Sequence, residues 1–208
     1  MLPFYDRGLI LLKMTETMVL PTDKKILSTT ELFQLGMTYY RIKKLEAQGH
    51  LIKLNKSMYE NLDYTGEESD YIYVYAYVPD GIVCLLTAAS IYELTNFRIE
   101  SIDVAVNRKK YIKTLPEYPL LQLHYFDEKR LTLGISEMSA SGEKVKIFDI
   151  EKTVVDIISF KNKIGIEETK EIITNYLRRS DRNINKLCRY AKQLKCKKIL
   201  DSYLEVLV

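Results

Sequence analysis

Cysteine and histidine are scarce in this sequence, and each scarcity removes a class of function. The three cysteines, Cys84, Cys188 and Cys196, are an odd number, lie far apart and form no C-x-x-C pair. Neither a disulfide framework nor a zinc knuckle is expected, and the thiols read as the reduced cysteines of a cytoplasmic protein. The two histidines, His50 and His124, have no partner at a spacing that builds a metal or nucleophile site, so both are expected to be structural. Glycine-rich phosphate loops, repeats and low-complexity tracts are also missing. No apolar stretch approaches the roughly 20 residues that a membrane-spanning helix needs. The short run "GLILLKM" follows acidic Asp6 and precedes no small-residue cleavage site, which argues against a signal peptide.

What is present fits an ordered, soluble chain. At 208 residues, with 47% hydrophobic and 28% charged, it can form one large domain or two modest ones, each with its own core. The net charge of +3 is too small to imply a nucleic-acid partner, so its distribution matters more. Between Lys24 and Met58 the basic residues are Lys24, Lys25, Arg41, Lys43, Lys44, Lys53 and Lys56, against only Glu31 and Glu46. Between Leu177 and Lys198 nine basic residues face the single acid Asp181. The acidic stretch "ENLDYTGEESD", with Gly66 and few aliphatics, suits an exposed connection and divides the chain into residues 1–65 and 70–208.

The first part reads as three helices and a hairpin. One helix is expected over Asp6–Met18. "STTE" at Ser28–Glu31 is a capping box that starts a second, and Gly36 can end it by taking the left-handed conformation. Thr38 can cap a third helix that runs to about Gln48 and is closed by Gly49. On that helix Thr38, Ile42 and Leu45 recur at the spacing of one packed face, which leaves Tyr39, Tyr40, Arg41, Lys43, Lys44 and Gln48 pointing elsewhere. "HLIKLNKSMYEN" then alternates around a polar turn as a short β-hairpin. Two helices joined by a tight turn and followed by a two-stranded ribbon make a winged helix-turn-helix, whose second helix enters the DNA major groove while the ribbon meets phosphates. The expected DNA contacts are therefore Thr38, Tyr39, Tyr40, Arg41, Lys43, Lys44 and Gln48 on the helix, with Lys53, Asn55 and Lys56 on the wing. Which tyrosine faces the groove is left open.

Beyond residue 70 the pattern predicts a mixed α+β domain. "YIYVYAYV" (Tyr71–Val78) alternates and reads as a strand, with tyrosines on a partly wet face in preference to a base-stacking platform. "LLTAASIYELT" reads as a helix, "SIDVAV", "LLQLHYF" and "EKVKIF" as strands, and the chain from Asp149 onward as helices.

The ordered segments "ELFQLGMTYYRIKKLEAQGHLIKLNKSMYE", "VCLLTAASIYELT", "VKIFDIEKTVVDII" and "YAKQLKCKKILDSYLEVL" resemble the AbiEi family of antitoxins over nearly the whole chain. That family belongs to bacterial abortive-infection, type IV toxin–antitoxin systems. The resemblance implies a repressor of its own operon that binds inverted repeats in promoter DNA through the winged helix. It also implies a C-terminal domain that counteracts an adjacent-gene, nucleotidyltransferase-like toxin without a stable complex.

Three further groups carry alternatives. Arg178, Arg179, Arg182, Arg189 and Lys192 are either the wet face of C-terminal helices or a second basic site for DNA, toxin or RNA. Asp149, Glu151 and Asp156 invite a metal reading, but Asp149 and Glu151 are better placed to favour the helix start. Asp103, Asp127 and Lys129 mimic the acid, acid-x-lysine set of metal-dependent nucleases, a pattern that arises easily by chance. No enzymatic activity, metal or cofactor is implied. A rival binding role is sequestration of the toxin by the basic helices.

Overall fold

A computed structural model describes residues 19–207. The helix expected over Asp6–Met18 lies outside the described residues. Ser28 ends strand β1 (Ile26–Ser28) and opens helix α1 (Thr29–Gln34). Its hydroxyl accepts from the Glu31 N–H at 3.1 Å, while the Glu31 carboxylate accepts from the Ser28 N–H at 2.8 Å. This reciprocal cap is the one the S-x-x-E spacing predicts. Gly36, at φ +77°, makes the turn into Thr38, whose hydroxyl accepts from Arg41 N–H at 3.4 Å and caps helix α2 (Tyr39–Gln48). Gly49 closes α2 at φ +80°.

Strands β2 (Leu51–Lys53) and β3 (Met58–Asn61) form the expected antiparallel hairpin, and β1 adds to the other edge of β3. Leu20, Leu27, Leu32, Met37, Ile42, Leu51 and Tyr59 pack as one core beneath the two helices. Each buried side chain of this kind contributes about 1.5–3 kcal/mol, which fixes the angle at which α2 lies on the sheet.

The segment Tyr71–Val78 is not a strand. It contains helix α3 (Ile72–Tyr77), and this corrects the expectation from its alternation. Ile72, Val74, Ala76 and Val78 are all buried and the four intervening tyrosines are half-buried, so the helix is enclosed nearly all round. Every residue of this run is apolar or aromatic, and the alternation is one of size rather than polarity. It therefore carries no information on backbone period. The tyrosine hydroxyls still reach polar partners, as where Tyr77 O–H donates to the Leu54 carbonyl at 3.2 Å.

A five-stranded sheet follows, built from β4 (Ile82–Val83), β5 (Ile102–Asn107), β6 (Leu121–Phe126), β7 (Ile135–Ala140) and β8 (Glu143–Phe148) in the order β6-β5-β4-β8-β7. β5 and β6 are parallel, as are β4 and β8, and the remaining pairs are antiparallel. Successive residues alternate between its two faces. Val83, Val104 and Ile147 join the core under α3, while Ile82, Ala105 and Phe148 join the core on the opposite face. That second core holds helix α4 (Leu85–Ile91) and helix α6 (Ile150–Ser159), which follows the short α5 (Glu128–Leu131). It also holds the terminal helices α8 (Ile166–Arg178), α9 (Ile184–Gln193) and α10 (Lys197–Leu207), reached through α7 (Lys161–Ile164). Residues 19–207 thus form a mixed α and β fold with two sheets. β1, β4, β7 and α5 lie where the sequence pattern assigns no element.

Candidate nucleic-acid interface

Ile42 sets the orientation of α2. It is buried and Leu45 is half-buried, so both turn toward the small core. At about 100° per residue, Tyr40, Lys44 and Ala47 then fall opposite Ile42, flanked by Lys43 on one side and Arg41 and Gln48 on the other. All six are exposed. The two tyrosines divide in role. The Tyr39 ring meets Phe33 of α1 edge-on at 4.8 Å and is 66% exposed, whereas Tyr40 is 81% exposed.

The basic residues also divide. Lys24 Nζ lies 2.8 Å from Glu31 and 2.9 Å from Glu143, and Lys25 Nζ lies 3.1 Å from Glu60 and 2.8 Å from Glu68. The hydrogen bonds that Lys24 donates to Glu31 and Glu143 raise its pKa well above the ordinary value, so it stays charged inside its own network. These two lysines are neutralised locally by four carboxylates. Lys43 is exposed and lies 2.6 Å from Glu46, while Lys44 has no ion pair among the described residues.

On the hairpin, Lys53 and Lys56 are exposed, and Lys53 Nζ sits 5.8 Å from the Tyr59 ring centre. Asn55 has a different task. Its Oδ1 accepts from Ser57 N–H at 3.0 Å and Met58 N–H at 3.1 Å, and its Nδ2 donates to the Ala76 carbonyl at 2.9 Å. Those bonds shape the hairpin turn and tie it to α3, just as the Thr38 hydroxyl is engaged by its cap. The structure therefore brings Tyr40, Arg41, Lys43, Lys44 and Gln48 onto one exposed helix face and leaves Lys53 and Lys56 on the hairpin.

The C-terminal basic residues do not form one patch of free charge. Arg179 grips the Asp181 carboxylate through Nε and Nη2 at 2.8 and 2.9 Å and donates through Nη1 to the Tyr92 carbonyl. Arg182 donates to the Arg179 carbonyl at 2.7 Å. Lys186 bridges Asp149 and Glu151 at 3.2 and 2.9 Å, and Lys197 pairs with Asp201. Arg178 and Arg182 line a cavity of about 830 Å³ with Leu177, Ile184 and Leu204. Arg189 and Lys192 are exposed one turn apart on α9.

Asp103, Asp127 and Lys129 do not converge. Asp103 lies opposite Gln122 in the β5–β6 register, five residues before Asp127, or about 16 Å along a strand at 3.3 Å per residue. Its carboxylate faces His124 Nε2 at 2.7 Å and Thr87 N–H at 3.2 Å, and Asp127 caps α5. His50 Nδ1 likewise lies 2.8 Å from Asp63 Oδ1, so each histidine has a carboxylate partner that linear spacing does not show. Asp149 caps α6, accepting from Lys152 N–H at 2.8 Å. Asp156 is buried between Lys152 and Arg130 and pairs with both. Phe126 and Phe148 flank Lys152, and Phe126 and Phe160 flank Arg130. Burial pushes the Asp156 carboxyl up and the Lys152 ammonium down, each opposed by their mutual attraction.

No protein-family model matches the chain, and no curated protein matches its sequence.

Proposed function

We propose that this protein is a DNA-binding transcriptional repressor of the winged helix-turn-helix type and the antitoxin of a type IV toxin–antitoxin system. The observation that carries the first half is the exposed strip of Tyr40, Arg41, Lys43, Lys44 and Gln48 on a helix held from behind by Ile42. α1 and α2 are joined by a four-residue turn, and an antiparallel hairpin carrying Lys53 and Lys56 follows. That order and that charge suit a recognition helix in the major groove with a wing on the backbone. Phosphate contacts from the lysines would set the register, and Tyr40, Lys44 or Gln48 would meet base edges. Residues 1–65 would repress by occluding the promoter at inverted repeats. Residues 70–208 would counteract a nucleotidyltransferase-like toxin, the half that rests on the resemblance to AbiEi antitoxins.

A promoter fusion and a toxin-rescue assay, run in parallel on Lys43→Ala/Lys44→Ala, test both halves. Repression is expected to be lost and rescue retained. Repression at the wild-type level in the double variant would contradict the placement of α2 on DNA. Failure of the wild-type chain to relieve the adjacent toxin would contradict the antitoxin half.

A further inference from the structure

The five-stranded sheet has two outer edges, β6 and β7, and they are built differently. β7 is interrupted by Ser136, Glu137 and Ser139, with Glu137 paired to Lys144 at 3.0 Å. β6 reads "LQLHYF" and carries no lysine, arginine, carboxylate or proline. It pairs with β5 residue for residue from Ile102–Leu121 to Asn107–Phe126, so no bulge breaks it. Natural edge strands are blunted by charge, proline, bulges or shortness, and β6 uses none of these.

The parallel ladder with β5 fixes which peptide groups of β6 are left over. Ile102 N–H donates to the Leu120 carbonyl at 2.8 Å and Arg108 N–H to the Phe126 carbonyl at 3.0 Å. In that register Gln122 and His124 turn their peptide groups toward β5, while the N–H and C=O of Leu121, Leu123 and Tyr125 point away from the sheet. Those outward groups have no hydrogen-bond partner among the described residues. Gln122 is exposed, Leu123 is half-buried and Tyr125 is 49% exposed, so no described element covers the edge.

We propose that β6 is a dimerisation edge, at which two copies of this chain pair antiparallel about a two-fold axis through Leu123. Residues 121–125 run apolar, polar, apolar, polar, apolar, an order that reads the same in both directions. Pairing centred on Leu123 sets that residue against its own copy and Leu121 against Tyr125 of the second copy. Each outward N–H and C=O then finds its complement, since opposed residues of this kind exchange both backbone bonds. On one face the leucines and tyrosines meet as cross-strand pairs. On the other, Gln122 meets His124 of the second copy, whose Nδ1 has no partner among the described residues while Nε2 lies 2.7 Å from Asp103. Neighbouring registers are poorer. Centring on Gln122 sets Tyr125 against Pro119, which has no N–H to give, and centring on His124 sets Leu121 against Asp127. An uncharged strand with this internal symmetry suits an identical strand better than a charged peptide. The pairing does not rest on the DNA reading, but where α2 binds DNA the same axis relates its two copies, the symmetry of an inverted repeat.

The test is sedimentation velocity of the full chain, free of nucleic acid, over a concentration series, with a cysteine on the axis as a second readout. The wild-type chain is expected to pass from monomer to dimer as its concentration rises. Tyr125→Lys sets a charge against Leu121 of the second copy and should weaken the dimer at least about tenfold. Ser139→Lys makes the same change in charge on exposed β7 and should leave the dimer unchanged. Leu123→Cys should cross-link two chains under mild oxidation, because opposed residues that exchange both backbone bonds have Cα atoms about 5.5 Å apart, within reach of a disulfide. Gln122→Cys lies two residues off its own copy and should not exceed the background from Cys84, Cys188 and Cys196. The wild-type chain and the cysteine variants decide the matter even where Tyr125→Lys lowers the thermal midpoint. A chain that stays monomeric at concentrations on the order of 100 µM would overturn the proposal. A dimer that Ser139→Lys weakens as much as Tyr125→Lys would also do so, as would one that Gln122→Cys cross-links as well as Leu123→Cys.

Discussion

Asp156 shows at the scale of one residue how burial changes what a charge does. It has no exposure, and its two oxygens are shared by Lys152, one turn earlier on α6, and Arg130 on α5. Removing the shared anion of such a set leaves both cations uncompensated, and breaking a buried pair in this way typically costs about 3–5 kcal/mol. Asp156→Ala is therefore expected to lose about that much stability in urea unfolding, because two cations remain among Phe126, Phe148 and Phe160. Lys152→Met keeps the apolar stem and leaves Asp156 paired with Arg130, so its loss should be clearly smaller. Equal losses from the two variants would mean that the charge set is not maintained in solution. Asn55 makes the complementary point. Its polarity and position in a basic hairpin suggest DNA, but all four of its side-chain bonds are internal. Side-chain type alone does not report whether the backbone has already claimed the donor.

At the scale of elements, the caps and turns are legible in the sequence because their chemistry is local. Ser28, Glu31, Gly36, Thr38 and Gly49 act within three residues of their partners, and the helix bounds around them match the spacing. The failures have equally local causes. α3 has no polar residue to reveal its period. β7 is an edge strand of alternating half-exposed and exposed residues with Ser136, Glu137 and Ser139 along it, so little apolar pattern marks it. Its turn into β8 places Ser141 at φ +46° and Gly142 at φ +85°, the two-residue hairpin geometry that favours glycine. A Cβ on Gly142 would also lie 2.2 Å from the Asp23 carbonyl oxygen, against open space at Gly49. Gly49→Ala is expected to cost roughly 1 kcal/mol, from the left-handed backbone alone. Gly142→Ala should cost at least about 2 kcal/mol, since backbone must also move. Equal denaturation midpoints for the two would show that the β7–β8 turn does not press on Asp23 in solution.

At the scale of the molecule, the two parts of the chain are joined by more than their connection. Lys24 links Glu31 on α1 to Glu143 on β8, Lys25 links Glu60 on β3 to Glu68, and Ser69 N–H donates to Ser141 Oγ at 2.8 Å. Partners more than a hundred residues apart, such as Lys24 and Glu143, leave no trace in local pattern. The charge tally of the first segment therefore overstates what can reach a ligand. The same packing brings the hairpin beside residues 111–114, a proximity that sequence order conceals. The DNA contact proposed for α2 is nonetheless confined to one helix face, which a matched pair of charge reversals can test. Lys44→Glu alters the exposed strip of α2, and Lys170→Glu makes the same change in net charge at an exposed position of α8, where Lys170 pairs with Glu167. In fluorescence anisotropy with upstream duplex DNA at fixed salt, Lys44→Glu is predicted to weaken binding at least about tenfold and Lys170→Glu by much less. Equal effects from the two reversals would contradict the placement of DNA on α2.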